Sequence, residues 1–188
     1  MKMSSLIAAL FVLTISQLHA QAPARADVWG KSPTASDDRF SNPKSKFYAG
    51  PDGYSNSGEL RATSGAASYK FQAAFRVISG AVIAVNALET LHFDFGAKGL
   101  PKPGVYKIGG KGDSAQNMVK LSFADVANQQ IKEWASADGA GTLTVSLVNG
   151  FAYVTMRDVK LAPQTTISKS SDWKKPMTLG FEGAMRLE

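Results

Sequence analysis

"GTLTVSLVNGFAYVTMRDVKL", residues 141–161, alternates apolar and polar side chains on both sides of Asn149-Gly150. Two residues of that type between alternating runs specify a tight hairpin, because a type I′ turn needs positive φ at both central positions. A turn there sets Val148 opposite Phe151, Leu147 opposite Ala152, Val145 opposite Val154 and Leu143 opposite Met156. Successive side chains point to opposite faces, so Leu143, Val145, Leu147, Ala152, Val154 and Met156 share a dry face. Thr142, Thr144, Ser146, Val148, Phe151, Tyr153, Thr155 and Arg157 make the other, half-wet one. A slip of one residue would mix the two sets, so the register is well specified. Past Arg157 the phase reverses: Val159 and Leu161 are apolar while Asp158 and Lys160 are wet. Either a bulge near Asp158 or a strand end that crosses to another layer accounts for that reversal.

The same period of two runs through most of the chain from Glu59 onward. In "SYKFQAAFRV", Tyr69, Phe71, Ala73, Phe75 and Val77 lie on one side, with Lys70, Gln72 and Arg76 on the other. "AVIAVNA" follows Ser79-Gly80. "LETLHFDFG" turns Leu91, Phe93 and Phe95 inward and His92 and Asp94 outward, and a short strand is expected at Val105 to Ile108. "MVKLSFADV" sets Val119, Leu121 and Phe123 against Lys120 and Ser122. "MTLGFEGAMRL" sets Met177, Leu179, Phe181 and Met185 against Thr178, Gly180, Glu182 and Arg186. In "FADVANQQIKEWAS", Phe123, Ala127, Ile131 and Trp134 also fall at helical spacing, but "IKEWA" alternates as a strand. A turn at Asn128-Gln129 and then a strand is the preferred reading.

About eight to ten short strands with turn signals between them, and no long amphipathic helix, mean an all-β domain. Uneven strand lengths and the long loops after Phe95 and Leu161 favour a single antiparallel β-sandwich. A closed, lipocalin-like β-barrel is the alternative.

The first residues, "MKMSSLIAALFVLTISQLHAQAPA", join a positive start at Lys2 to an apolar run from Leu6 to Ile15 and small residues at Ala20 and Ala22. That is the pattern of a secretory signal peptide, too short for a stable membrane span. The expected organisation is a signal peptide over 1–22, a Pro/Ser/Asp-rich flexible arm over 23–57 and an all-β domain over 58–188. Trp29, Phe40, Phe47, Tyr48 and Tyr54 in the arm point to contacts with the domain. The chain has no cysteine, so it carries no disulfide, thiolate metal site, cysteine nucleophile or lipid-modified cysteine anchor. The formal charge is +6, and removing the leader takes Lys2 and no acid, leaving +5. Charge of that size, spread over one domain, serves solubility. The loose clusters at Lys98, Lys102, Lys107 and Lys111 and at Lys169, Lys174 and Lys175 lack interleaved aromatics, which argues against a nucleic-acid partner.

No constellation of catalytic residues stands out. Without the leader only His92 remains as a histidine. Its spacing from Asp94 puts both on one face of a strand, where a solvated pair is the simpler reading than a base and its orienting acid. There is no G-x-S-x-G elbow to supply a nucleophile. One histidine without cysteine disfavours zinc. Asp52, Ser55, Asn56 and Glu59 lack the spacing of a calcium loop, as does Asp138 in its turn. Glu89, Asp94, Glu133 and Glu182 sit on strands, but sequence does not place any two of them across a cleft, as glycoside chemistry requires. "GGKGDS" lacks the ending and the following helix of a phosphate cradle. Trp134, Trp173, Phe151 and Tyr153 are candidates for an aromatic platform and equally for core.

The arrangement of leader, short Pro/Ser-rich arm and cysteine-free β-domain resembles many bacterial envelope proteins, and that likeness transfers no site. The expectation is an exported, periplasmic or secreted, non-enzymatic binding or structural protein of the cell envelope. It is expected to have no catalytic residue, metal or cofactor. Its partner would be an envelope or extracellular protein, a glycan or a small apolar ligand, with no nucleic acid and no transmembrane span. A periplasmic carrier of a lipid or other apolar ligand is the first alternative, a carboxylate-dependent hydrolase the second. Intact mass of protein recovered from its native host should show a chain beginning at Gln21 or Pro23; a product that retains Met1 would refute the leader.

Overall fold

The computed structural model describes residues 44, 57–98, 101–127, 130–148, 150–164 and 174–186. The expected signal peptide and nearly all of the expected arm lie outside these residues. The described strands are β1 (Ser57–Ser64), β2 (Ala67–Ile78), β3 (Ala81–Val85), β4 (Glu89–Asp94) and β5 (Gly104–Gly109), then β6 (Met118–Ala127), β7 (Gln130–Ser136), β8 (Gly141–Val148), β9 (Phe151–Pro163) and β10 (Met177–Arg186).

The hairpin at 141–161 has the register expected, from Leu143 opposite Met156 to Val148 opposite Phe151. Asp158 takes a positive φ of 51°. The pairing of β9 with β10 skips there, from Val159 opposite Leu179 to Met156 opposite Phe181. The reversal of phase is therefore a bulge, in which two residues of β9 oppose one of β10. The inward sequence Ala152, Val154, Met156 resumes at Val159 and Leu161, all buried.

A sandwich is the wrong architecture for this chain. The strands run round a ring in the order β1-β2-β3-β4-β6-β5-β8-β9-β10, and β10 pairs back with β1 from Met177 opposite Ser64 to Ala184 opposite Ser57. This is a closed nine-stranded β-barrel. Every pairing is antiparallel except β5 with β6, where Lys107, Ile108 and Gly109 lie beside Met118, Val119 and Lys120. The uneven strand lengths that favoured two sheets have another cause. β6 offers one edge to β5 over Met118–Lys120 and then, on the same edge, to β7 over Ser122–Ala127. β9 likewise pairs with β8 over Phe151–Met156 and with β7 over Leu161–Pro163. One slot in the wall is filled by two strands at one end and by a single short strand at the other. Closure leaves no sheet edge around most of the ring.

The inward face of the strands is mainly apolar. Phe75, Phe93 and Phe181 close the middle of the barrel, their ring centroids 5.0 to 5.7 Å apart. Phe181 fits because the wall beneath it is bare: Gly58 and Gly183 are direct partners across β1 and β10, and a Cβ on either would sit 2.5 Å from the ring. Lys70, Arg76 and Lys107 are exposed on the outward face, and His92, Asp94 and Lys120 are half-buried there. That is the inverse of a transmembrane barrel, whose lipid-facing band is apolar. No helix among the described residues is long and apolar enough to cross a membrane.

The outward face is not wet everywhere. Val148, Tyr153 and Ala184 form a second buried apolar cluster with Phe151 packed against it. Tyr153 and Glu182 are each 1% exposed and hydrogen-bonded to one another. The half-wet face expected of the hairpin is thus dry over this part of its length.

Gly183→Val should cost about 1–3 kcal/mol through overpacking against Phe181 and Phe75, read by urea unfolding. Wild-type stability in that variant would mean the Phe181 ring is not held over the glycine pair.

Candidate functional site

β2 is the longer partner of a short hairpin. It pairs with β1 over Ala67–Ala74, but with β3 only over Ala74–Ile78. The β3–β4 turn ends where Glu89 faces Asp125 and the Val126 amide donates to the Leu88 carbonyl. Between Ala67–Ala73 and the β6–β7 hairpin the wall therefore contains no described strand. A side chain completes it instead. The Tyr69 hydroxyl donates to Asp125 Oδ2 at 3.0 Å, across 56 residues of sequence. The Tyr69 ring meets Phe123 and Trp134 edge-on, at centroid distances of 5.4 and 6.4 Å. We call this opening the notch.

Polar side chains gather at the notch although they occupy inward positions. Asp125 continues the inward series Val119, Leu121, Phe123 and is buried. Glu89 is in phase with Leu91 and Phe93, and Lys132 with Trp134. Lys132 Nζ reaches Asp125 Oδ2 at 3.4 Å, and Asn86 Nδ2 donates to Glu89 Oε2 at 3.3 Å. Burial, and then the charge of Asp125, push the Glu89 carboxyl above its ordinary value. Burial, the Asp125 charge and the hydrogen bond to Asp125 together push the Tyr69 phenol well above 10. The Tyr69 phenol thereby stays neutral at ordinary pH, its hydroxyl donating to Asp125. Beneath them lies an aromatic floor of Phe123 and Trp134, with Tyr69 and Phe71 half-buried at the side. The indole of Trp134 donates to the Lys175 carbonyl at 3.0 Å, which fixes the floor to the start of β10. The result is an apolar shelf with a hydrogen-bonding edge.

The residues weighed from sequence are dispersed. His92 and Asp94 do share the outward face of β4, with Ser122 opposite His92. Asp94 accepts from the Gly96 amide at 2.8 Å and so caps its own strand end, and no hydrogen bond among the described residues joins it to His92. Glu133 faces outward on β7. Glu182 is engaged with Tyr153, and Glu59 with Arg61 and Gln72. Asp138 accepts from the Gly110 amide at 2.9 Å, and Asp113 caps the short 3-10 turn at Ser114–Gln116. "GGKGDS" is thus the strap that carries the chain from β5 to β6. It crosses the end of β4 so closely that a Cβ on Gly112 would lie 2.1 Å from the Asp94 carbonyl oxygen. Asp52, Ser55, Asn56, Trp173 and Lys169 lie outside the described residues. Among the described residues no three His, Asp or Glu side chains group as metal ligands. Trp134 is in the interior, while Phe151 and Tyr153 belong to the outer cluster.

Asp125, Tyr69 and Lys132 were not singled out from sequence as a site. The signal was present: a charged residue in phase with the buried face, at 89, 125 and 132, near the end of each strand. Comparison with family models, curated proteins and solved structures gives no match.

The sign of the Tyr69 shift predicts an alkaline effect. The unfolded chain ionises this phenol near 10 while the folded chain does not, so the folded state binds the extra proton and stability falls as pH rises above about 10. Tyr69→Phe should flatten the fall in urea-unfolding free energy between about pH 9 and 11; an unaltered slope would show that Tyr69 is not held by Asp125.

Proposed function

We propose that this chain is an exported ligand-binding barrel, a carrier that takes a small ligand with an apolar body and a polar end at the notch. One observation carries the reading. Among the described residues the wall of the barrel is interrupted beside β2, and that place combines half-buried aromatic rings with Asp125, Glu89, Lys132 and Tyr69. Binding sites are typically concave and apolar with a few converging polar groups. The middle of the barrel is plugged by Phe75, Phe93 and Phe181, so the cargo sits against the half-buried Tyr69 and Phe71 rather than deep within. The polar edge orients it through the half-buried Lys132 ammonium and Glu89 carboxyl, with the Tyr69–Asp125 hydrogen bond holding the edge in place. Periplasmic or secreted placement follows from the leader at 1–22.

The hydrolase reading is weaker. Glu89 and Asp125 are the two acids that face one another inside the barrel, and their unequal environments resemble an acid–base pair. Asp125, however, is already engaged by Tyr69 and Lys132, and Glu89 by Asn86.

Native mass spectrometry of protein from its own host should show a lipid-sized adduct released on denaturation. A neutral fluorescent probe such as N-phenyl-1-naphthylamine should bind the empty protein, and Phe71→Asp should weaken it by at least about tenfold, or 1.4 kcal/mol. Thr144→Asp, on the outward face of β8, should leave binding unchanged. Absence of both adduct and probe binding would refute the carrier reading.

A further inference from the structure

The rim of the notch is apolar on its outer side. Leu88 is 51% exposed, Val126 46% and Ile131 36%. They are neighbours, since the Val126 amide donates to the Leu88 carbonyl at 2.8 Å and Val126 faces Ile131 across β6 and β7. Each belongs to a different element, so the β3–β4 turn, the end of β6 and the start of β7 together present one patch at one end of the barrel.

Basic side chains surround that end. Lys70 is exposed on the outward face of β2, along the notch. Lys174 and Lys175 are exposed at the approach to β10. Lys175 is fixed at this end because its carbonyl accepts from both the Ser64 hydroxyl and the Trp134 indole, at 3.0 Å each. Lys132, its side chain 28% exposed, adds a fourth charge partly offset by Asp125. Of the nearby acids, Glu89 and Asp125 point into the barrel and Glu133 points outward from β7.

We propose that this rim docks on an anionic lipid bilayer, with Leu88, Val126 and Ile131 entering the headgroup boundary and the lysines meeting the lipid phosphates. Small apolar tips backed by lysines are the pattern of reversible surface binding, in which apolar burial and attraction to anionic lipid add. Three side chains are too few to form the apolar centre of a protein interface, which takes about 800 Å² from each partner. A bilayer needs no matching shape. Docking by this rim would turn the notch toward the membrane. The inference goes beyond the carrier reading and does not depend on it, because the rim binds with or without cargo.

The test is co-sedimentation of the mature protein, without added ligand, with vesicles of phosphatidylcholine alone or with about a quarter phosphatidylglycerol. Binding is expected only to the anionic vesicles and should weaken with added salt. Leu88→Asn with Ile131→Asn should reduce it at least about fivefold, and Lys70→Ser with Lys174→Ser by a similar factor. Val105→Asn, at a residue 59% exposed on β5, should leave it unchanged. All these positions are exposed, and an unchanged melting temperature confirms the fold of each variant. The inference is overturned if wild type ignores anionic vesicles, if the rim variants bind as wild type does, or if gel filtration shows the patch buried in a dimer that Leu88→Asn dissociates. Any of these outcomes leaves the probe-binding test of the carrier reading untouched.

Discussion

β9 holds the barrel shut. At 13 residues it is the longest described strand, and only that length lets one edge serve β8 and then β7 while the other runs the whole way along β10. The strand bends at Asp158 to do so. The bulge restores the inward phase at Val159 and Leu161 and adds local twist, which a closing sheet requires. A straight β9 would either stop at β8 and leave β7 without a second neighbour, or continue with its apolar face turned outward. The ring closure, the packing of the three phenylalanines and the interruption beside β2 all presuppose that this strand reaches the far end.

Much of this was legible in the sequence, because a period of two is a local property. The inward series on β2, β4, β6, β8 and β10 follow the expected alternation except at their ends, where Val77 and Leu147 are 37% and 50% exposed. The hairpin register follows from Asn149-Gly150, and even the bulge announces itself as a break in phase. The choice between sandwich and barrel is not local. It depends on whether the last strand finds the first, and alternation is the same in both cases. Uneven strand length misled in particular: it reflects β5 and β8 sharing a slot with β7, an arrangement without a signature in any of these strands alone.

The site was hidden for a related reason. Glu89, Asp125 and Lys132 each break an apolar series by one residue at its end, where a strand emerging into water would be expected to turn polar. Only the wall defect left by a short β3–β4 hairpin gives those residues a common neighbourhood, and only Tyr69, reaching over from β2, makes them one cluster. The histidine and the outward acids drew attention because their residue types are reactive. Asp94 is used as a strand-end cap and Glu182 as the partner of Tyr153. Chemistry-bearing residue types were less informative here than residues out of place in a buried pattern.

The pairing of β1 with β10 bears on how such a chain is made. The first described strand has its second neighbour in the last, separated by almost the whole domain, so the ring stays open until the carboxyl end is available. Long-range pairing of this kind folds slowly, because the entropy of bringing distant segments together is lost before contacts reward it. A nascent chain that cannot close early remains threadable. A topology whose final step waits for its last strand thus postpones completion of the fold to the end of synthesis.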